Sequence, residues 1–365
     1  MRWSLKLGRI SGIDVFVHWT FAILLVWIFF AHLGAGGDVA AALRGVGFIL
    51  ALFGCIVLHE FGHALTARRY GIRTRDITLL PIGGVARLER MPEDPMQEMR
   101  VALAGPAVNV VIAGVLFAVL LAIGAAQQVF DMTLMRGDFL ARLMWVNLFI
   151  VAFNLLPAFP MDGGRVLRAL LAKRMGRRRA THTAATVGQG MAILFGIVGL
   201  FFNPFLLFIA LFVYLGAQGE AQLVEMTSLM RGLSVRDAMQ TRFRTLAADD
   251  ELSTAVNELL AGAQQDFPVV TDGEVAGILR RRDLVKALSG PGRNATVGEA
   301  MCRECNPVQA GEPLERALER LRNSECPAVP VMEDGRLAGL LTIENISELM
   351  MVNSALETRA QKPAT

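Results

Sequence analysis

Two histidines one helical turn apart, with a glutamate beside the first, are the residues of this chain best suited to do chemistry. His59-Glu60-Phe61-Gly62-His63 stands inside the apolar stretch 56–65. On a helix, positions i and i+4 share a face, so both imidazoles can bind one metal ion. Glu60 lies where it can take a proton from a water that such an ion activates. The chain has only five histidines in 365 residues, which leaves little room for a chance match. The plainer reading is two histidines buried in a helix bundle with a charge between them. It has to account for a carboxylate at membrane depth, which is costly and usually functional. A catalytic zinc takes three protein ligands and leaves a position open. Asp162, in Met161-Asp162-Gly163-Gly164, is the best candidate for the third, against its reading as a turn aspartate. Asn154 is placed to hydrogen-bond a substrate carbonyl or the oxyanion that develops from it, against its reading as a helix-end cap.

The elements that must position these groups are apolar helices. Mean hydropathy is +0.45 and 53% of residues are hydrophobic, high for a water-soluble protein. From residue 10 to residue 67 the only charged side chains are Asp14, Asp38, Arg44 and Glu60. Apolar runs at about 15–33, 43–67, 101–126, 139–157, 186–202 and 204–223 predict six membrane spans. The first follows a basic head with Arg2, Lys6 and Arg9; its length argues for a retained span rather than a signal peptide, with His18 and Trp19 at the interface. Between the second and third runs, Ile77-Thr78-Leu79-Leu80 and Val85-Ala86-Arg87-Leu88 flank a Gly-rich turn and predict a hairpin. Its edge could add an extended substrate strand. Residues 92–100 predict a polar interfacial helix. Lys and Arg cluster in the N-terminus, in 68–100 and in 165–179, so the positive-inside rule puts both chain ends, the metal motif and Asp162 toward the cytoplasm of a multi-pass cell-membrane protein. The net charge of +3 then marks sidedness, and no nucleic-acid partner follows from it.

Together these motifs resemble the site-2 protease family of intramembrane zinc metalloproteases. The resemblance rests on His59-Glu60-Phe61-Gly62-His63 in a second span, the Gly83-Gly84 hairpin, Ala104-Gly105-Pro106 with Asn109, and the stretch from Asn154 through Pro157 and Pro160 to Asp162-Gly163-Gly164-Arg165. It covers about residues 7–223. It implies one zinc per chain on His59, His63 and Asp162, Glu60 as general base, Asn154 holding the scissile segment, and single-pass membrane proteins as substrates, met within or beside the lipid. Met161 stands where the family more often has Leu, a conservative change.

Beyond residue 233 the chain reads as a soluble α/β domain with an internal repeat of roughly sixty residues. Ser234-Val235-Arg236-Asp237-Ala238-Met239 recurs as Thr296-Val297-Gly298-Glu299-Ala300-Met301, and Asp272-Gly273 with its following strand recurs at Asp334-Gly335. The repeat resembles a tandem pair of CBS domains, which implies dimerisation and an adenine nucleotide site. The motif residues for that ligand are only half matched: Asp283 in the first copy lacks its hydroxyl partner, which is Arg280, and Thr342 in the second is followed by Asn345 where Asp is usual. The expected layout is a protease domain at 1–226, CBS domains at 227–292 and 293–352, and a disordered tail at 353–365. Cys302 and Cys305 form a Cys-x-x-Cys with no second pair, and an odd number of thiols in this half fits a reducing compartment. A competing function is a membrane ion sensor or transporter gated by the CBS pair. It needs metal ligands but no base beside a broken helix, which makes Glu60 and Asn154 the discriminating residues.

Overall fold

The computed structural model describes residues 4–360, apart from 82, 90, 126–138, 263, 291, 293, 294 and 325. The chain divides into two compact units, Met1–Val224 and Glu225–Thr365.

The first unit opens with strands β1 (Ser4–Ile10) and β2 (Ile13–His18), then helices α1 (Trp19–Gly34) and α2 (Val39–Arg68). Strands β3 (Thr74–Leu80) and β4 (Gly83–Leu88) follow, then α3 (Pro95–Ala122), α4 (Phe139–Asn154), α5 (Asp162–Met175), α6 (Arg177–Phe201) and α7 (Phe205–Met230), whose last residues run past the unit boundary at Val224. The strands form one sheet in the order β1-β2-β3-β4, with β2 and β3 parallel. This corrects the sequence reading, which took 15–33 as one span. Ile13 and Val15 instead point into the sheet core and the helix begins only at Trp19, with His18 capping it by accepting from the Thr20 backbone. Alternating Ile-Asp-Val-Phe-Val satisfies a strand, and its apolar members conceal that when the run is read as a span. Of residues 92–100, expected as an interfacial helix, 95–100 are the first turns of α3, capped by Asp94 with Pro95 at its start.

Among the described residues, four helices have the length and apolarity to cross a membrane: α2, α3, α6 and α7. α1 and α4 are apolar but have 16 residues each. At 1.5 Å per residue that is about 24 Å, short of a hydrocarbon layer of about 30 Å. Large apolar side chains such as Trp27, Phe30, Phe201, Phe202 and Phe208 are exposed, as a lipid-facing surface requires.

α2 works with two faces. Val57, Phe61 and Ala64 pack on Ile13, Val15 and Ile77 of the sheet, while His59 and His63 turn toward α3 and are 5% exposed. Close approach of α2 and α3 depends on small residues: a Cβ on Gly62 would lie 2.7 Å from the Ala104 carbonyl oxygen. The sheet carries an aligned cross-strand pair, Asp76 and Arg87, bound through two hydrogen bonds of 2.6 and 2.8 Å. Deeper in the bundle Arg168 of α5 is fully buried between Glu98 of α3 and Glu220 of α7, its guanidinium over the Phe159 ring.

The second unit holds two copies of one module. The first sheet is β5 (Leu246–Ala247), β6 (Phe267–Thr271) and β7 (Glu274–Leu279); the second is β8 (Val308–Gln309), β9 (Ala328–Glu333) and β10 (Arg336–Thr342). In each, a parallel pair is followed by a hairpin whose turn is Asp-Gly, with both residues at positive φ (53° and 85°; 49° and 76°). The repeated Ser234…Asp237 and Thr296…Glu299 are capping boxes that start two short helices. The copies exchange their leading segments. Gln240 pairs with Leu340 of β10, and Cys302 pairs with Ile278 of β7. Val235 and Ala238 accordingly lie in the core of the second copy with Val308, Leu314, Val331 and Leu341. The crossings need glycine: a Cβ on Gly277 would meet the Cys302 carbonyl oxygen at 2.5 Å, and one on Gly339 the Met239 sulfur at 2.8 Å. The last helix runs from Ile343 to Ala360. Residues 353–360, expected as a disordered tail, are therefore helical, because Ile346, Leu349 and Met350 anchor the helix on the second core; 361–365 lie outside the described residues.

Candidate active site

His59 and His63 are held by different neighbours, and each neighbour fixes a tautomer. His59 donates from Nδ1 to Asn109 Oδ1 at 2.6 Å. Asn109 donates on to Asn147 Oδ1 at 2.7 Å, and Asn147 donates to the Leu143 carbonyl at 2.8 Å. Both asparagines are fully buried. His63 donates from Nδ1 to the Val101 carbonyl at 2.7 Å. With Nδ1 protonated on both rings, each Nε2 carries a lone pair.

Those two Nε2 atoms face one another at 3.0 Å. Asp162 Oδ2 completes a triangle, 3.4 Å from His59 Nε2 and 3.2 Å from His63 Nε2. Three atoms with lone pairs at this spacing repel unless a cation lies between them. A tetrahedral zinc with bonds of about 2.0–2.1 Å sets its donors about 3.3–3.4 Å apart. The donor set and its separations therefore fit one metal ion, and the three residues form a buried group able to hold it. Gly105 of α3 faces this triangle: a Cβ there would lie 2.2 Å from His63 Nε2 and 2.7 Å from His59 Nε2. A methyl group would stand about where an ion belongs.

Asp162 reaches the histidines as the first residue of α5. The loop before it turns back on itself, with Met161 N–H bonded to the Ala158 carbonyl at 3.0 Å. Gly163 and Gly164 have no room for a side chain. A Cβ on Gly163 would lie 2.3 Å from the Leu156 carbonyl oxygen, and one on Gly164 2.6 Å from the Ala158 carbonyl carbon. The glycine pair thus lets the helix start press onto its own loop, which aims Asp162 at the histidines.

Glu60 lies beside strand β4, where a Cβ on Gly84 would approach its Cγ at 2.9 Å. Among the described residues β4 is an edge of the sheet, so that strand edge and the glutamate are neighbours. Asn154 is the last residue of α4, and its amide donates to the Ile150 carbonyl of its own helix at 3.1 Å. In the second unit Thr342 Oγ1 and Asn345 bond each other (2.9 and 3.2 Å) across the start of the last helix. Asp283 is paired with Arg280. Asp266 accepts from the Arg281 backbone N–H, and burial pushes its carboxyl above the ordinary range.

Sequence reasoning gave Asn147 and the Val101 carbonyl no part in this site, and it assigned no role to Gly105 or Asn109 beyond motif membership. Asn147 did leave a signal, a carboxamide in the middle of an apolar helix, where polar groups are expensive and usually bonded. A backbone carbonyl leaves none.

Comparison with known proteins gives the same two-part division. Residues 47–136 and 123–197 match the model of Peptidase family M50, and residues 235–290 and 297–352 each match the CBS domain. The zinc metalloprotease MJ0392 of Methanocaldococcus jannaschii is 33% identical over 96% of this chain and 97% of its own length. A solved site-2 protease from Methanocaldococcus jannaschii is 38% identical, covering 60% of this chain and 95% of that one, with a TM-score of 0.44. A solved CBS domain pair of protein MJ0100, in complex with 5'-methylthioadenosine and S-adenosyl-L-methionine, is 25% identical over 33% of this chain and 97% of its own, with a TM-score of 0.31.

Proposed function

The chain belongs to peptidase family M50, and from that premise we propose that it is a zinc-dependent intramembrane protease of the site-2 type, carrying a CBS pair. The observation that carries the reading is the triangle of His59 Nε2, His63 Nε2 and Asp162 Oδ2, with edges of 3.0–3.4 Å and both Nδ1 atoms engaged elsewhere. These three residues would hold one zinc ion. When bound, zinc supplies Lewis acidity that makes a water a usable nucleophile near neutral pH.

The rest of the work falls to the chain. Glu60 takes the proton of the attacking water and passes it to the leaving amine. Asn154, at the broken end of α4, orients the substrate carbonyl or the oxyanion. The β4 edge beside Glu60 receives the substrate as an added strand, since a peptide must be extended before its backbone can be cut. A transmembrane segment is the matching substrate class, because the site is lined by helices whose outer surfaces face lipid. α1 and α4, met by local thinning of the bilayer around their shorter length, make up the count to six spans, with both chain ends on the cytoplasmic side. The CBS pair serves as a regulatory or dimerising module. Asp283, Thr342 and Asn345 are its candidate contacts to an adenine nucleotide, and the exchanged segments at Gln240 and Cys302 are where a ligand could tighten one copy against the other.

The test is Glu60→Gln in the full chain, with a single-pass membrane protein as substrate. Zinc should stay bound while cleavage falls by at least ~10²–10⁴-fold. His59→Ala should lose zinc and cleavage together. Cleavage retained in the glutamine variant would overturn the role of Glu60, and zinc absent from well-folded wild type would overturn the reading as a whole.

A further inference from the structure

Three of the four cysteines converge in the second unit, outside anything the protease chemistry uses. Cys326 Sγ lies 2.8 Å from Cys305 Sγ and 3.5 Å from Cys302 Sγ, and all three sulfurs fall within 4.8 Å of one another. All are free thiols; Cys326 is 1% exposed and the other two are half-buried. From sequence, Cys302 and Cys305 were a lone Cys-x-x-Cys without a partner. The fold supplies the third thiol from the residues that lead into β9.

The place is structurally informative. Cys302 pairs through both backbone groups with Ile278 of the first copy, at 2.9 Å each way. Cys305 packs on the cluster formed by Ile278, Ala328 and Leu340, which joins β7 of one copy to β9 and β10 of the other. Cys326 lies two residues before Ala328. The thiols therefore sit on the seam between the two CBS copies, and the Arg280 side chain that replaces the expected hydroxyl residue interacts electrostatically with Cys302 and Cys326.

We propose that Cys302, Cys305 and Cys326 form a second metal site, a three-thiolate site for a thiophilic ion of the zinc class, which ties the two CBS copies together at their seam. A tetrahedral zinc with Zn–S bonds of about 2.3 Å holds its sulfurs about 3.8 Å apart. The Cys326–Cys302 separation already meets that within a few tenths of an ångström, and Cys305 has to move by about 1 Å, which a side-chain rotation supplies. A disulfide would engage only two of the three thiols and would leave the third without a role. Thiolate ligands select ions of the zinc class over calcium or magnesium. The half-exposed side, at Cys302 and Cys305, leaves the fourth position to water or to an exogenous ligand. The loaded site pins the segment 302–305 to the start of β9, and through the Cys302–Ile278 pairing it holds the first copy in register with the second.

The test uses the full chain in detergent, stripped of metal under reductant and reloaded with cobalt(II). Thiolate-to-cobalt charge transfer gives an intense near-ultraviolet absorption that a site of two histidines and a carboxylate does not give. Wild type should show this band and bind two metal ions per chain. His59→Ala should keep the band, and Cys55→Ser, which changes the remaining cysteine in α2, should keep it too. Cys326→Ser and Cys305→Ser should each lose the band and one ion. Absence of the band in wild type overturns the proposal, and that measurement needs no variant to fold. Persistence of the band in both serine variants overturns it as well. Because the readout is thiolate-specific, failure here leaves the protease reading standing, and failure of the histidine site leaves this one standing.

Discussion

Gly105→Ala removes no ligand and no charge, yet it should empty the histidine site of metal. The added Cβ would sit 2.2 Å from His63 Nε2 and 2.7 Å from His59 Nε2, against an ordinary contact of roughly 3.5 Å. At 2.2 Å the carbon is about as far from the ring nitrogen as a bound zinc would be, so methyl and ion compete for one volume. Relief requires α3 to back away from α2 by about 1 Å. Such a shift opens the neighbouring crossing, where Gly62 lies against the Ala104 backbone, and forfeits its packing contacts. Overpacking of this kind costs about 1–3 kcal/mol. Borne by the metal-loaded state alone, that is a loss of about 5- to 150-fold in zinc affinity, and the overlap with the ion itself makes the upper end the expectation. The assay is chelator competition for zinc on purified protein, with thermal unfolding in detergent run alongside. Gly114→Ala on the same helix is the control, since a Cβ there meets nothing within 4 Å; it should leave zinc affinity unchanged. Wild-type affinity in Gly105→Ala would refute the geometry of the site. Equal losses in both variants would show that α3 simply tolerates no change.

Asn109→Ala removes the acceptor of the His59 Nδ1–H and should weaken zinc binding by ~10–100-fold; a change under threefold in the same competition assay would mean the carboxamide does not orient the ring. Arg168→Met leaves Glu98 buried without its cation and should lower stability by about 3–5 kcal/mol, seen as a lower midpoint of thermal unfolding in detergent; an unchanged midpoint would place Glu98 in contact with water. Gly339→Ala should loosen the exchange between CBS copies by about 1–3 kcal/mol without touching zinc at the histidines; limited proteolysis of the second unit would report it, and wild-type resistance would count against the crossing at Gln240.

The histidine helix and the repeat were legible because both are written in local spacing. Histidines four residues apart share a helix face whatever the rest of the chain does, and paired Asp-Gly turns mark a duplicated hairpin by their own backbone requirement. Even the candidacy of Asp162 followed from local signs, a carboxylate beside a glycine pair after two prolines. The first two strands were not legible, since Ile13 to His18 alternates but runs straight into an apolar helix, and hydropathy averaged over a span cannot separate the two. The helical continuation past Ser354 was hidden likewise, because polar composition does not reveal that Ile346, Leu349 and Met350 anchor that helix.

By itself, then, the sequence determined which groups can react, two imidazoles and a carboxylate at helical spacing with Asp162 available to join them, and that they lie in apolar helices followed by a duplicated α/β module. Only the tertiary structure decided which nitrogens turn toward Asp162, that Gly105 keeps the space beside them open, and that Cys326 joins Cys302 and Cys305. Those outcomes depend on contacts between segments far apart in the chain, on the Asn109–Asn147 relay, a backbone carbonyl at Val101 and two helix crossings. Such contacts are set by packing, and no local pattern of residue types encodes them.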